Sequence, residues 1–87
     1  SWLLDGLLSV DDLKDHLEVD ELPGEIGHYE TLSGFVMAQL GHIPEEGDAF
    51  EWSGFRFEVI DMDGMRVDKV LVNALPAVTP GDEQTYS

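Results

Sequence analysis

The 87-residue chain has no cysteine. That excludes a disulfide staple, a thiolate metal centre and thiol redox chemistry. It is also poor in positive charge. Lys and Arg together number 4 against 19 Asp and Glu, a formal net charge of −15 at pH 7. Such a surface repels phosphate backbones, which argues against a nucleic acid partner, and it disfavours an anionic membrane surface. It favours basic partners or divalent cations, in a diffuse way. No apolar run approaches the ~18 residues that a bilayer span needs. The opening, SWLLDGLLSV, lacks the basic n-region of a signal peptide and carries Asp5. Because Ser1 stands directly before a strand-like run, the expectation is a piece of a longer protein whose other parts could hold membrane segments.

Signatures of catalysis are missing as well. No serine has the Gly-x-Ser-x-Gly context of a nucleophile elbow. His16, His28 and His42 are too far apart to form a helical metal pair. Carboxylates are so abundant that some pair always resembles an acid/base dyad, so that signal carries little. Asp61-Met62-Asp63-Gly64 has the start of a calcium loop without its closing Glu, and a hairpin explains it better. There is no Walker loop and no Gly-x-Gly-x-x-Gly. The chain is expected to be no enzyme and to hold no metal at a defined site.

What the sequence does contain is a meander from Asp48 to Val72. Two two-residue turns, Ser53-Gly54 and Asp63-Gly64, separate three strands. With both loops two residues long, Trp52 faces Phe55, Glu51 faces Arg56 and Phe50 faces Phe57. Around the second turn Asp61 faces Arg66, Glu58 faces Lys69 and Phe57 faces Val70. Favourable cross-strand pairs support this register, and a one-residue slip would turn the apolar set over. One face then holds Phe50, Trp52, Phe55, Phe57, Val59, Val70 and Val72, the core side. The other holds Glu51, Arg56, Glu58 and Lys69, with an apolar half of Ile60, Met62, Met65, Val67 and Leu71. That half is either covered by another strand or open to a partner, and Ile60, Met62, Met65 and Val67 form the candidate interaction surface. On this reading Val67→Asp weakens association and leaves the fold intact.

Trp2 to Leu4 reads as an edge strand stopped by Asp5-Gly6. Ser9 caps a helix over about Val10 to Leu17, with Val10, Leu13 and Leu17 at helical spacing. His16 lies beside that stripe as a boundary residue. Glu18 to Glu30 is an acidic loop. Thr31 caps a second helix that buries Leu32, Phe35, Val36 and Leu40 and ends at Gly41. Gly34 within it implies close approach of another backbone. Residues 1–75 form one α+β domain: a small antiparallel sheet, made of the meander plus the N-terminal strand, covered on one face by two helices. Residues 76–87 form a mobile tail.

Several of these features occur together in one family. Thr31-x-x-Gly34, Gly41-x-x-Pro44-x-x-Gly47-Asp48, the Phe57 to Val59 strand, the closing Arg66-Val67 and the opening Asp5-Gly6 resemble the CorC/HlyC transporter-associated domain. The similarity covers Trp2 to Val72. It implies a cytoplasmic C-terminal domain of a bacterial inner-membrane protein, following a membrane region and a pair of CBS domains. Such proteins are linked with magnesium and cobalt efflux or labelled hemolysins. The implied role is a non-catalytic regulatory module acting through the CBS domains, the membrane region or a second copy of itself. The family fold also resembles a subdomain of PCMH-type FAD-binding domains. A flavin or adenine-nucleotide module and a divalent-cation sensor are therefore the alternatives. For a flavin the sequence offers only the Thr31 helix start, preceded by Glu30, so no cofactor is assigned.

Overall fold

A computed structural model describes residues 1–23 and 29–76. The middle of the acidic loop and the expected tail, Pro76 apart, lie outside these residues. The elements are β1 (Trp2–Asp5), α1 (Val10–Leu17), α2 (Leu32–Leu40), β2 (Ala49–Trp52), β3 (Phe55–Asp63) and β4 (Arg66–Ala74). The strands form one antiparallel sheet in the order β1-β4-β3-β2. The N-terminal strand thus lies at the edge, as expected, beside the last strand of the meander.

Local chemistry sets the helix ends. The Ser9 hydroxyl accepts the Asp12 amide at 3.1 Å, and Asp11 and Asp12 sit in the first, positive turn of α1. Thr31 Oγ1 accepts the Gly34 amide at 3.3 Å, and α2 ends at Gly41 in the left-handed region with φ 75°. α1 ends on Glu18 at φ 57°, a conformation more often given to glycine.

Both helices cover the same sheet face. Leu13, Leu17, Leu32, Phe35 and Val36 pack into one core with Phe57, Val59, Val70 and Val72. Phe35 is the hub. Its ring lies 5.5 to 5.7 Å from Tyr29, Phe50, Trp52 and Phe57, edge-on or tilted, and Phe50 stacks on Phe57 at 4.9 Å. Such aromatic pairs add about 0.5–1.5 kcal/mol each beyond their area burial. Phe50, Trp52 and Phe55 are half-buried because they stand at the β2 margin of the sheet.

The first hairpin has the expected register, with Trp52 opposite Phe55 and Phe50 opposite Phe57. Ser53 and Gly54 both have positive φ, 52° and 83°, as a type I′ turn requires. The second hairpin differs. Asp63 pairs with Arg66, so the turn residues are Gly64 and Met65. Gly64 takes φ 63° at the first central position, the pattern of a type II′ turn, and Asp63 stays in its strand.

Further along, Met62 pairs with Val67, Asp61 with Lys69 and Val59 with Val70. Two register shifts separate these pairs: Ile60 is the extra residue on β3 and Asp68 the extra residue on β4. The two shifts cancel, so the one-residue move of the turn sets the register of the remaining pairs: the expected Glu58–Lys69 and Phe57–Val70 are corrected to Glu58–Leu71 and Phe57–Val72, and Asp61–Arg66 becomes Asp61–Lys69 between the two bulges. Two small bulges change what the far end of the sheet buries.

Candidate interaction surface

The bulges divide the four residues expected to form one surface. Val67 is 3% exposed and belongs to the core. Met62, its partner across the strands, is half-buried against the same core. Ile60 and Met65 remain outside, 40% and 68% exposed. Simple alternation from Val59 would put Val67 outward; one extra residue on each strand reverses it.

Two small residues hold Val67 in. Its amide donates to the buried Ser33 hydroxyl of α2 at 3.0 Å, and that hydroxyl faces Met37 Sδ at 3.9 Å. Ser33 is the buried polar side chain of the described core. Gly6 lies against the Val67 carbonyl so closely that a Cβ there would sit 1.9 Å from its oxygen. Its own amide donates to Asp68 O at 2.8 Å, and its carbonyl accepts the Ser33 amide at 2.9 Å. Gly6 is thus the point where β1, β4 and α2 meet. The sequence marked it as a turn glycine after Asp5, and nothing local announced Ser33 as the partner of a bulge.

The sheet face away from the helices is built from three cross-strand rows. These are Glu51–Arg56–Asn73, Ala49–Glu58–Leu71–Leu3 and Asp61–Lys69–Asp5. Leu3 is 58% exposed and Leu71 half-buried beneath it. β1 therefore accounts for part of the apolar half-face, and Leu3, Leu71 and Ile60 form its open remainder.

Each of the four basic side chains has a carboxylate within reach: Lys14 with Asp11 at 3.6 Å, Arg56 with Glu58 at 3.9 Å, Arg66 with Asp63 at 3.8 Å and Lys69 with Asp68 at 3.3 Å. Exposed pairs of this kind contribute about 0–1 kcal/mol. Their greater consequence is that no basic residue is left over to neutralise the surplus acids. At the bulges, Asp61 meets Asp68 and Glu46. The hydrogen bond with Asp68 comes first, then burial, then the bond with Glu46, and together they raise the Asp61 carboxyl above its ordinary value. Asp48 is shifted the other way, first by the Glu45 amide and then by His42. No trio of His, Asp or Glu among the described residues has the geometry to hold a metal ion.

The backbone amides at the α2 start are taken up within the chain. A pyrophosphate there needs free backbone amides. Leu32 donates to Leu8 O, Ser33 to Gly6 O, Gly34 to Thr31 Oγ1 and Phe35 to Thr31 O. Gly34 makes room for Tyr29, whose Cβ would lie 2.7 Å from a Cβ placed on the glycine. That is the close approach expected for Gly34, with chain in place of a ligand. A shallow cleft of about 240 Å³ beside this helix start is lined by Thr31, Ser33, Asp63, Arg66, Val67 and Asp68 among others.

The chain is an α+β module with one sheet face under two helices and the other open. The chain belongs to the CorC/HlyC family, the transporter associated domain, whose model matches residues 1–76. Among curated proteins it is 54% identical over 77 residues to UPF0053 protein sll0260 of Synechocystis sp., covering 87% of this chain and 17% of that protein. It is 45% identical over 75 residues to the polyamine export protein of Salmonella typhimurium, covering 86% and 17%. It is 29% identical over 72 residues to the magnesium and cobalt efflux protein CorC of the same species, covering 83% and 24%. Among solved structures, the CorC/HlyC domain of a Xylella fastidiosa hemolysin, in complex with Mg++ and Mn++, is 36% identical with a TM-score of 0.74, covering 85% and 86% of the two chains. The transporter associated domain of a CBS domain protein from Porphyromonas gingivalis is 30% identical with a TM-score of 0.70, covering 85% and 87%. The chain thus spans about one-sixth of the length of the first of these curated relatives. No helix among the described residues is long and apolar enough to cross a membrane.

Proposed function

We propose that this chain is a non-catalytic accessory module of a bacterial inner-membrane transport protein, placed on the cytoplasmic side. It acts through contacts with the CBS and membrane regions of its parent and holds no resident cofactor. The observation that carries this reading is the open sheet face, where Leu3, Leu71 and Ile60 stand among charged residues while the opposite face is sealed by two helices. The occupant is the parent's own chain: the curated relatives have most of their length outside this domain, and tethering gives such a contact a high effective concentration. A second copy is disfavoured as occupant by a net charge of −15 on each.

The test is calorimetric binding of this chain to the purified remainder of its parent. Ile60→Asp and Leu71→Asp are expected to weaken binding at least tenfold with little change in melting temperature. Unchanged affinity in both variants rejects the open face as the contact.

A second reading is favoured by the surplus acids and by what relatives are named for, polyamine export and magnesium and cobalt efflux. In it, polyvalent cations gather at the acidic surface and tune the same contact. An amide NMR titration with spermidine, and separately with magnesium, decides it. Saturable shifts confined to a few residues support it; uniform weak shifts that added salt removes reduce it to screening.

A further inference from the structure

A second polar device lies at the other end of α2. The helix ends at Gly41 and the chain passes through His42, Ile43 and Pro44 into the loop before β2. His42 faces an acceptor on each side. Nδ1 lies 2.9 Å from the Leu40 carbonyl, and Nε2 lies 3.2 Å from Asp48 Oδ2. Neither oxygen can donate. A neutral imidazole has one N–H and one lone pair, so it satisfies one of them and turns a lone pair on the other. Only the imidazolium donates to both. The Leu40 carbonyl also belongs to the negative end of the helix, where a cation is favoured.

The same Asp48 carboxylate oxygen accepts the Glu45 amide at 2.9 Å, and the Asp48 amide donates to Glu45 O at 3.0 Å. On the far side of the loop, Gly47 donates to Val59 O and Val59 donates to Asp48 O, each at 2.8 Å. These two bonds extend the β2–β3 ladder one rung beyond Ala49. Asp48 therefore joins the His42 ring to the entry of an edge strand only four residues long. The charged side chain against the ring is Asp48 of the loop. On the strands beyond, Glu58, opposite Ala49, pairs with Arg56, and Asp61, beside Glu46 and Asp68, lies opposite Lys69.

We propose that His42 is a proton-operated clasp. As the imidazolium it ties the C-terminal end of α2 to the Glu45–Asp48 loop and firms the entry of β2. When the ring gives its proton to solvent, one of its two bonds is lost and the loop loosens. The geometry ties the order of one sheet edge to proton concentration, independently of what the open face binds. The hydrogen bond from the Glu45 amide helps to keep Asp48 ionised as pH falls, so acid strengthens the His42 side before it neutralises its partner.

The experiment is NMR on this chain, on His42→Gln and on Asp48→Asn, at about pH 5 and about pH 9. The readouts are the His42 ring nitrogen shifts and the amide protection factors of Glu45, Gly47 and Val59, each taken against the unstructured rate at the same pH. The expected result is an imidazolium at the lower pH and a fall in protection of roughly two- to fivefold at the higher one, the factor an exposed ion pair supplies. The fall should be absent in both variants. Equal protection at the two pH values in the unaltered chain overturns the proposal. So does an undiminished fall in His42→Gln, which would assign the effect to the carboxylates of Glu46, Asp61 and Asp68.

Discussion

The Ser33 hydroxyl accepts the Val67 amide at 3.0 Å, joining residues 34 apart in the chain. The bulge at Asp68 interrupts the ladder beside Val67, and the helix supplies the missing acceptor. An interior amide without a partner is among the more costly defects a small core can carry.

Ser33→Ala should therefore destabilise the domain by about 1–3 kcal/mol, the desolvation cost of a buried donor left alone. Urea unfolding should show a lower midpoint with an unchanged slope. A loss below about 0.5 kcal/mol would mean that water or a shifted strand replaces the hydroxyl.

Gly6→Ala addresses the same junction from β1. Its Cβ would stand 1.9 Å from the Val67 carbonyl oxygen, and this neighbour is backbone. Either β1 leaves the sheet or β4 moves, at a cost of about 3 kcal/mol or more. Circular dichroism and thermal melting should show an unfolded or strongly destabilised chain. A melting temperature close to that of the unaltered protein would contradict the packing at this point.

Val67→Asp separates the two placements of the strand. With Val67 outward it would spare the fold. Since Val67 is 3% exposed, an aspartate there is a buried charge without a partner and should cost about 3–5 kcal/mol. Ile60→Asp, at a residue 40% exposed on the bulge, should shift stability by no more than about 0.5 kcal/mol. Comparing their urea midpoints checks the bulged register; similar midpoints would favour the unbulged one.

Asp61→Asn tests the meeting of carboxylates at the bulge. The folded state raises the Asp61 carboxyl above its ordinary 3.8, so it holds that proton more tightly than the unfolded chain. The stabilisation is complete below the ordinary value and is lost as pH rises through the raised one. Asp48 has the opposite sign: its contribution is present above the ordinary value and is lost as the pH falls. An asparagine at 61 can donate to Asp68 at any pH. The variant should thus be the more stable at neutral pH, with an advantage that shrinks below about pH 4. Urea midpoints at the two pH values check this; a pH-independent difference would remove the carboxylate explanation.

The sequence by itself determined the elements and most of their partners. Ser9 and Thr31 mark the helix starts because a short hydroxyl side chain can cap a free amide. Ser53-Gly54 set the first hairpin because only a few residues accept positive φ twice in succession. Alternation along Phe55 to Val59 and at Val70 and Val72 named the core face, since a strand's side chains point to opposite faces in turn. The family, too, was legible in the spacing of Thr31, Gly34, Gly41, Pro44, Gly47 and Asp48. The tertiary structure alone decided where alternation stops. A bulge has no residue signature of its own: Ile60 is an ordinary strand residue, and Asp68, though less usual in a strand, does not by itself mark one. What fixes it is distant: Gly6 and Ser33 admit Val67 and supply its amide with an acceptor. The bulged arrangement buries that valine and packs Met62 against the core. It is set between elements far apart in sequence, and it left Ile60 and Met65 as the exposed part of what looked like a single surface.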